Sequence, residues 1–341
     1  MKTRKIDADS VAVIPQDSDD IMTLRRIISR GDKVSGHAHW VLKQDREYSR
    51  PDKGERIRVM LSIHVNRLSL DDTLDRLRIH GIIQESDNEH IPHGTNHSLL
   101  VGIGDAIRIT KKTWTSTNRT MLKSLNREGF VLVAIDRMEC GVARLYGTHI
   151  QYTASIRSGF GGKQYRTTPD TKRYYTDVIR AIGTIHQRDD KIILLGPGQT
   201  KNQLSAHIKN KTIIIEGIDT GGADGINLFT RSESFKNTIS ESQLAQALNI
   251  LDEVMALVGR GSHRFTTGFK ETADAIGLGA VKSMAYSDAI FGSVDEDSVV
   301  SLLNDAERSG VSIYGVDAST DVGLRISNLG GVVSLLRYSL S

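Results

Sequence analysis

The sequence predicts a multidomain α/β and β protein, and three observations carry that prediction. At 341 residues the chain exceeds the roughly 100–150 residues around which single domains cluster, so two or three cores are expected. The hydrophobic pattern changes twice, from strict alternation in the first third, to continuous apolar runs after Gly129, to a compact strand–helix alternation beyond Ile239. The charge follows the pattern: net +4 over 1–128, +5 over 129–238 and −6 over 239–341. Three domains with those boundaries follow, two basic and one acidic, which suggests a polyanion at one end and a protein partner at the other.

Composition narrows the class. With 38% hydrophobic and 25% charged residues the chain can build real cores, and 5 prolines leave little material for a disordered linker. A single cysteine, Cys140, permits no intramolecular disulfide and no thiolate zinc cage. The charged start Met1–Asp7 lacks the apolar stretch of a signal peptide, and no apolar run approaches the roughly 18 residues of a membrane span. A cytoplasmic protein without a membrane partner is expected.

In the first domain, Ile57, Val59, Leu61, Ile63 and Val65 fall on one face of a strand and Arg58, Met60, Ser62, His64 and Asn66 on the other. That alternation is the mark of a half-buried antiparallel strand. Similar strands are read around 31–42, 76–83, 98–101 and 106–109, giving a small, strongly bent β-barrel with flanking helices. The stretch Asp45–Arg56 is too polar and turn-rich to pack and should project.

The second domain contains Phe130–Ile135, Ile192–Leu195 and Ile213–Ile215, runs without alternation that indicate a sheet covered on both faces. Helices at about 170–187 and 200–209 would cover it. Gly196–Thr200 joins a strand end to a helix start, where backbone N–H groups are left free. In the third domain Ser240 and Gln243 have capping-box spacing ahead of a helical repeat, Leu244, Leu248, Leu251, Met255 and Val258. Strands at 280–285, 311–316 and 332–337 then alternate with helices near 298–308 and 320–328.

Most motifs fail on inspection. Arg157–Gln164 has the glycines of a phosphate loop but neither its first Gly nor its closing Ser or Thr, and no dinucleotide fingerprint appears, so no nucleotide of its own is expected. His90, His93 and His97 are interrupted by Pro92 and Gly94 and read as turn residues. Asp17, Asp19 and Asp20 precede a helix near Ile21 and read as N-capping and dipole compensation rather than as a cation site. Cys140, flanked by strands, reads as a core or turn thiol. What remains is basic chemistry suited to phosphates. One cluster is Arg46, Arg50, Lys53 and Arg56, with Tyr48 as a stacking surface; the other is Arg157, Lys163, Arg166, Lys172 and Arg173, with Tyr165, Tyr174 and Tyr175 nearby.

Assembled in order, these features resemble the Pelota family. Gly31–Val34, Arg56–Val59, His97–Leu100 and Ile107–Trp114 look like its N-terminal domain. Tyr286–Phe291 and Gly323–Tyr338, with Asn328-Leu329-Gly330-Gly331, look like the terminal domain it shares with class-1 release factors. The resemblance implies an Sm-like N-terminal barrel, a ribonuclease-H-like central domain and a third domain similar to a kink-turn-binding ribosomal protein. It implies a monomer that rescues stalled ribosomes and surveys their messenger RNA. Such a protein fills the vacant A site as a tRNA mimic, is delivered by a GTPase similar to elongation factor 1-alpha, and splits subunits with an ATP-binding-cassette recycling ATPase.

Release factors carry a Gly-Gly-Gln loop. Here Gly161-Gly162-Lys163-Gln164 and Pro197-Gly198-Gln199 both depart from it, so peptidyl-tRNA hydrolysis is not expected. In the family a Pro-Gly-Phe turn meets the GTPase; Pro197 and Gly198 match it and Gln199 does not. A divalent-metal-dependent endoribonuclease activity is also ascribed to the family's N-terminal domain, which makes RNA cleavage the alternative function and a divalent cation the one cofactor implied. Asp17, Asp19, Asp20 and the His90–His97 turn are the clusters that could be nominated; the sequence assigns no catalytic or metal-ligating residue.

Overall fold

In the computed structural model, the described residues are 1–42, 55–71, 74–122, 129–147, 149–159, 171–187, 190–240 and 242–340. They form two compact units, one of residues 1–125 with 294–308 and one of 126–293 with 309–341.

The first unit begins with β1 (Lys2–Lys5), β2 (Ser10–Ile14), α1 (Ser18–Ile27), β3 (Lys33–Leu42), β4 (Glu55–Leu70), β5 (Arg76–Ser86), β6 (Asn96–Gly102), β7 (Ile107–Thr110) and α2 (Ser116–Leu122). Its strands make one seven-stranded sheet in the order β1-β2-β7-β3-β4-β5-β6. The alternation read at 57–65 holds: Val59, Leu61, Ile63 and Val65 are buried and pack with Val34, Leu77, Ile79 and Ile109. The register of β4 on β5 shifts at Ser62/Ile63 and again at Val65/Arg67, and such bulges bend a strand. Gly81 sits opposite the second bulge because a Cβ there would lie 2.1 Å from the His64 carbonyl oxygen. In this unit β1 and β2 escaped sequence reading. β1 is Lys-Thr-Arg-Lys, exposed at every position on the sheet edge, and has no apolar period to find.

The second unit holds β8 (Phe130–Ile135), β9 (Glu139–Tyr146), β10 (His149–Arg157), α3 (Thr171–Ile185), β11 (Lys191–Leu195), α4 (Thr200–Ser205), β12 (Thr212–Ile214), α5 (Gly222–Thr230), α6 (Glu233–Thr238), α7 (Gln243–Gly259), β13 (Phe265–Thr267), α8 (Phe269–Gly277) and β14 (Val281–Ser287). After α9 (Glu296–Arg308) come β15 (Ser312–Val316), α10 (Asp321–Asn328) and β16 (Val332–Leu336). A five-stranded sheet runs β10-β9-β8-β11-β12 and a four-stranded one β13-β16-β14-β15. β8 shows why its run is continuous. Phe130, Leu132 and Ala134 enter a core shared with α5, α7 and β14–β16, while Val131, Val133 and Ile135 enter another with α3 and α4. Cys140 lies in that second core, and burial, with Asp136 and Glu139 adding, pushes its thiol far up, so it is packing rather than a nucleophile.

Three local expectations shift. The α7 cap is Ser242, whose Oγ accepts from the Ala245 amide at 3.1 Å, not Ser240; Gln243 is the first helical residue and the position three past the cap is Ala245, so no capping box forms. α4 stops at Ser205 because the chain tightens into i to i+3 bonds at His207 and Ile208. α9 groups with the first unit, where Arg25 of α1 is ion-paired with Glu296 and Asp297, and Arg26 reaches Asn304, the Leu303 carbonyl and Glu307 at 3.1–3.2 Å.

Candidate nucleic-acid interface

β3 and β4 form a long hairpin, paired from Lys33↔His64 to Leu42↔Glu55. Its inward residues Val34, Ala38, Val59 and Leu61 anchor it in the core. Its outward residues are forced into solvent by the same two-residue period. His37 lies opposite Met60, His39 opposite Arg58 and Val41 opposite Arg56, and all six are exposed. Of the five nominated residues in this region, Arg56 is thus a described, exposed cation on the hairpin. Arg46, Tyr48, Arg50 and Lys53 lie outside the described residues. Sequence reading missed Arg58, His37 and His39 as members of the same surface; the alternation of β4 placed Arg58 outward, but only the register brings the two histidines beside it.

The nominated metal clusters have other employment. Asp17 caps α1 by accepting from the Asp20 amide at 2.7 Å, and Asp20 is ion-paired with the N-terminal ammonium and accepts from the Gln16 amide. His93 Nδ1 contacts the Gln84 carbonyl at 2.6 Å, and His97 packs tilted against Trp40 with ring centroids 5.0 Å apart, its pKa lowered by burial. Among the described residues no three His, Cys, Asp or Glu side chains gather as a cation site.

The second basic cluster is only partly visible. Arg157 is exposed at the end of β10, and Lys172 and Arg173 are exposed in the first turn of α3. Lys163, Tyr165 and Arg166 lie outside the described residues, as does the Gly161–Gln164 string. Tyr174 and Tyr175 offer no stacking surface. Both are buried against α4 and β8, donating to the Asp136 carbonyl at 3.2 Å and to Gln203 at 2.9 Å, because α3 turns them toward the sheet. Burial pushes both phenols up.

Pro197 and Gly198 occupy the turn between β11 and α4. This turn is built as a rigid bracket. Gly196 is buried at φ +119°, and a Cβ there would meet the Ile135 carbonyl oxygen at 2.0 Å. The ammonium of Lys201, a residue only 1% exposed, donates to the Gly196 carbonyl at 2.8 Å and to Glu216 at 2.7 Å. The buried lysine therefore fixes the entry of the turn while Gly198 and Gln199 stay exposed.

Comparison with known proteins places these features in a lineage. Residues 1–126 match the model of the Pelota N-terminal domain, and residues 244–340 match eRF1 domain 3. The Pelota homolog of Nitrosopumilus maritimus is 49% identical, with 100% of this chain and 99% of that protein covered. The chain belongs to the Pelota family. The Pelota homolog of Cenarchaeum symbiosum is 42% identical over 98% of both chains. The Pelota crystal structure from Thermoplasma acidophilum superposes with a TM-score of 0.65 at 21% identity, covering all of both chains, so this Pelota chain shares that fold.

Proposed function

We propose that the protein rescues stalled ribosomes and takes part in surveillance of the messenger RNA they hold. It enters a vacant A site as a tRNA mimic, delivered by a GTPase similar to elongation factor 1-alpha, and promotes subunit dissociation with an ATP-binding-cassette recycling ATPase. The observation that carries this reading is the exposed cationic hairpin, Arg56 and Arg58 with His37 and His39, on a chain that is Pelota along its whole length. Phosphate contacts position a protein without reading sequence, so the hairpin is suited to an A site whatever codon it holds.

The finer assignments belong to the same reading. The bent seven-stranded sheet supports an Sm-like barrel, the five-stranded sheet with α3 and α5 a ribonuclease-H-like domain, and the four-stranded sheet a domain like a kink-turn-binding ribosomal protein; the boundaries would be 1–128, 129–238 and 239–341. Arg46, Tyr48, Arg50, Lys53, Arg56, Arg157, Lys163, Arg166, Lys172 and Arg173 would face RNA. The bracketed turn at Pro197 and Gly198 would face the GTPase, with polar Gln199 making a weaker apolar contact than Phe. The protein would act in the cytoplasm as a monomer and hydrolyse neither peptidyl-tRNA nor nucleotide itself; a divalent cation is the one cofactor the family resemblance implies.

The test uses ribosomes programmed with a truncated message, the GTPase and the recycling ATPase, and reads subunit splitting beside RNA integrity. Splitting with intact RNA is expected. Metal-dependent cleavage of the message without splitting would replace rescue with an endoribonuclease.

A further inference from the structure

The cations of the hairpin do not stand alone on their face of the sheet. Register places Arg4, Ala12, Arg108, Ser35 and Ser62 in one row across five strands, β1-β2-β7-β3-β4. Side-chain contacts show that the row shares one face: Ser35 and Ser62 hydroxyls lie 2.7 Å apart, and those of Ser10 and Thr110 3.0 Å apart on the neighbouring row. The opposite face is core, since Val13, Val34, Leu61, Ile107 and Ile109 are buried. Ala12 leaves no bulk between Arg4 and Arg108. Along β3 and β4 the same face continues as His37/Met60, His39/Arg58 and Val41/Arg56, in steps of about 7 Å along the strands.

Three described anions beside this face, Asp7, Glu85 and Asp87, are engaged. Asp7, near enough to Arg108 to feel its charge, accepts the Asp9 and Ser10 amides at 2.8 and 2.7 Å. Glu85 is paired with Lys33 at 2.6 Å, and Asp87 accepts the Met60 amide at 2.9 Å. Arg4, Arg108, Arg56 and Arg58 are exposed and form no ion pair with any described residue. Four guanidiniums, each able to clasp a phosphate through two N–H groups, thus project from one sheet without an ion pair to any described residue.

We propose that this outward face is a track for an RNA phosphate backbone, running from Arg4 and Arg108 across the sheet to Arg58 and Arg56 on the hairpin. The proposal rests on the ribosome-rescue reading and names the ligand chemistry of that site beyond the projecting loop. Guanidiniums spread along one face, with Ala12, Ser35, His37 and Met60 between them, fit a strand carrying one charge per nucleotide. An acidic protein would offer carboxylates without that repeat.

The full chain carrying Arg4→Ser, Arg58→Ser and Arg108→Ser is titrated onto vacant-A-site ribosomes across a salt series, after confirming an unchanged Tm. The expected result is weaker binding and a slope of log K against log salt reduced by about 0.7 per removed charge, near 2 in all. The triple Arg→Lys variant should keep the wild-type slope, and Lys270→Ser with Lys282→Ser, exposed lysines of the third domain, should leave it unchanged. A photo-crosslinking residue in place of Met60 should capture ribosomal or messenger RNA. Wild-type binding with an unchanged slope in the triple serine variant, or crosslinks to ribosomal protein alone, would overturn the track and leave the rescue reading standing. Failure of the wild type to bind vacant ribosomes would overturn both.

Discussion

The β3–β4 hairpin and the turn at Gly196–Gly198 are both candidate contact sites, yet they are built in opposite ways. The hairpin presents charge: its outward residues Arg56 and Arg58 are exposed, and its strands are held by inward residues at alternate positions. The turn presents a backbone shape, held from below by a buried lysine and by a glycine that no other residue can replace without collision. The difference predicts which function can be removed without unfolding the molecule. Charge on the hairpin should be separable from stability, and the shape of the turn should not.

The strongest challenge to that contrast is Gly196→Ala. The new Cβ would overlap the Ile135 carbonyl and the residue would be held at positive φ, for a loss on the order of 4 kcal/mol measured by denaturant unfolding. A stable Gly196→Ala protein would show that the bracket is soft. Lys201→Met should cost about 2 kcal/mol, because it leaves the Gly196 carbonyl without its donor while preserving the length of the side chain. The same variant should bind the delivering GTPase less well even where it remains folded.

A third effect of similar size lies outside both regions and depends on pH. Asp317 is buried, which alone would raise its pKa, but His149 Nδ1 at 2.8 Å and the Ser319 amide at 2.8 Å outweigh burial and bring it to about 2 from an ordinary 3.8. Its folded pKa is depressed, so its contribution of about 2 kcal/mol is fully present above pH 4 and lost as pH falls toward 2. Asp288 works against it, its pKa raised by burial and by the neighbouring Asp317. Asp317→Asn should therefore flatten the acid limb of the stability profile. The smallest stability effect belongs to Arg58→Ser, within about 0.5 kcal/mol of wild type, although it should lower ribosome affinity and its salt slope.

Much of this framework was legible in the sequence where one physical signal dominated. The alternation at 57–65 located β4 and its buried face, and the uninterrupted run at 130–135 announced a strand with a core on each side. Elements without such a signal were lost. β1 carries only polar residues, and nothing in Lys-Thr-Arg-Lys distinguishes an edge strand from a solvated tail. Tyr174 and Tyr175 lay beside basic residues in sequence and looked available, but helical rotation turns them into the core while Lys172 and Arg173 stay outside. The cationic face was hidden for a related reason: Arg4, Arg108 and Arg58 are far apart in the chain and brought to one face only through strand register. Pro197 and Gly198 were found by likeness to a family turn, whereas the lysine that braces them gave no sign, since a lysine four residues on is usually a surface residue.

The central claim is that the protein occupies an empty A site through phosphate contacts that read no codon. It is tested most directly by measuring the affinity of the full chain for ribosomes that differ only in the A-site triplet: a sense codon, a stop codon, or no message beyond the P site. The account predicts affinities for the three within about threefold of one another, with one common salt slope. A preference of tenfold or more for the stop codon would contradict it, and would mean that this chain reads the message rather than filling the site.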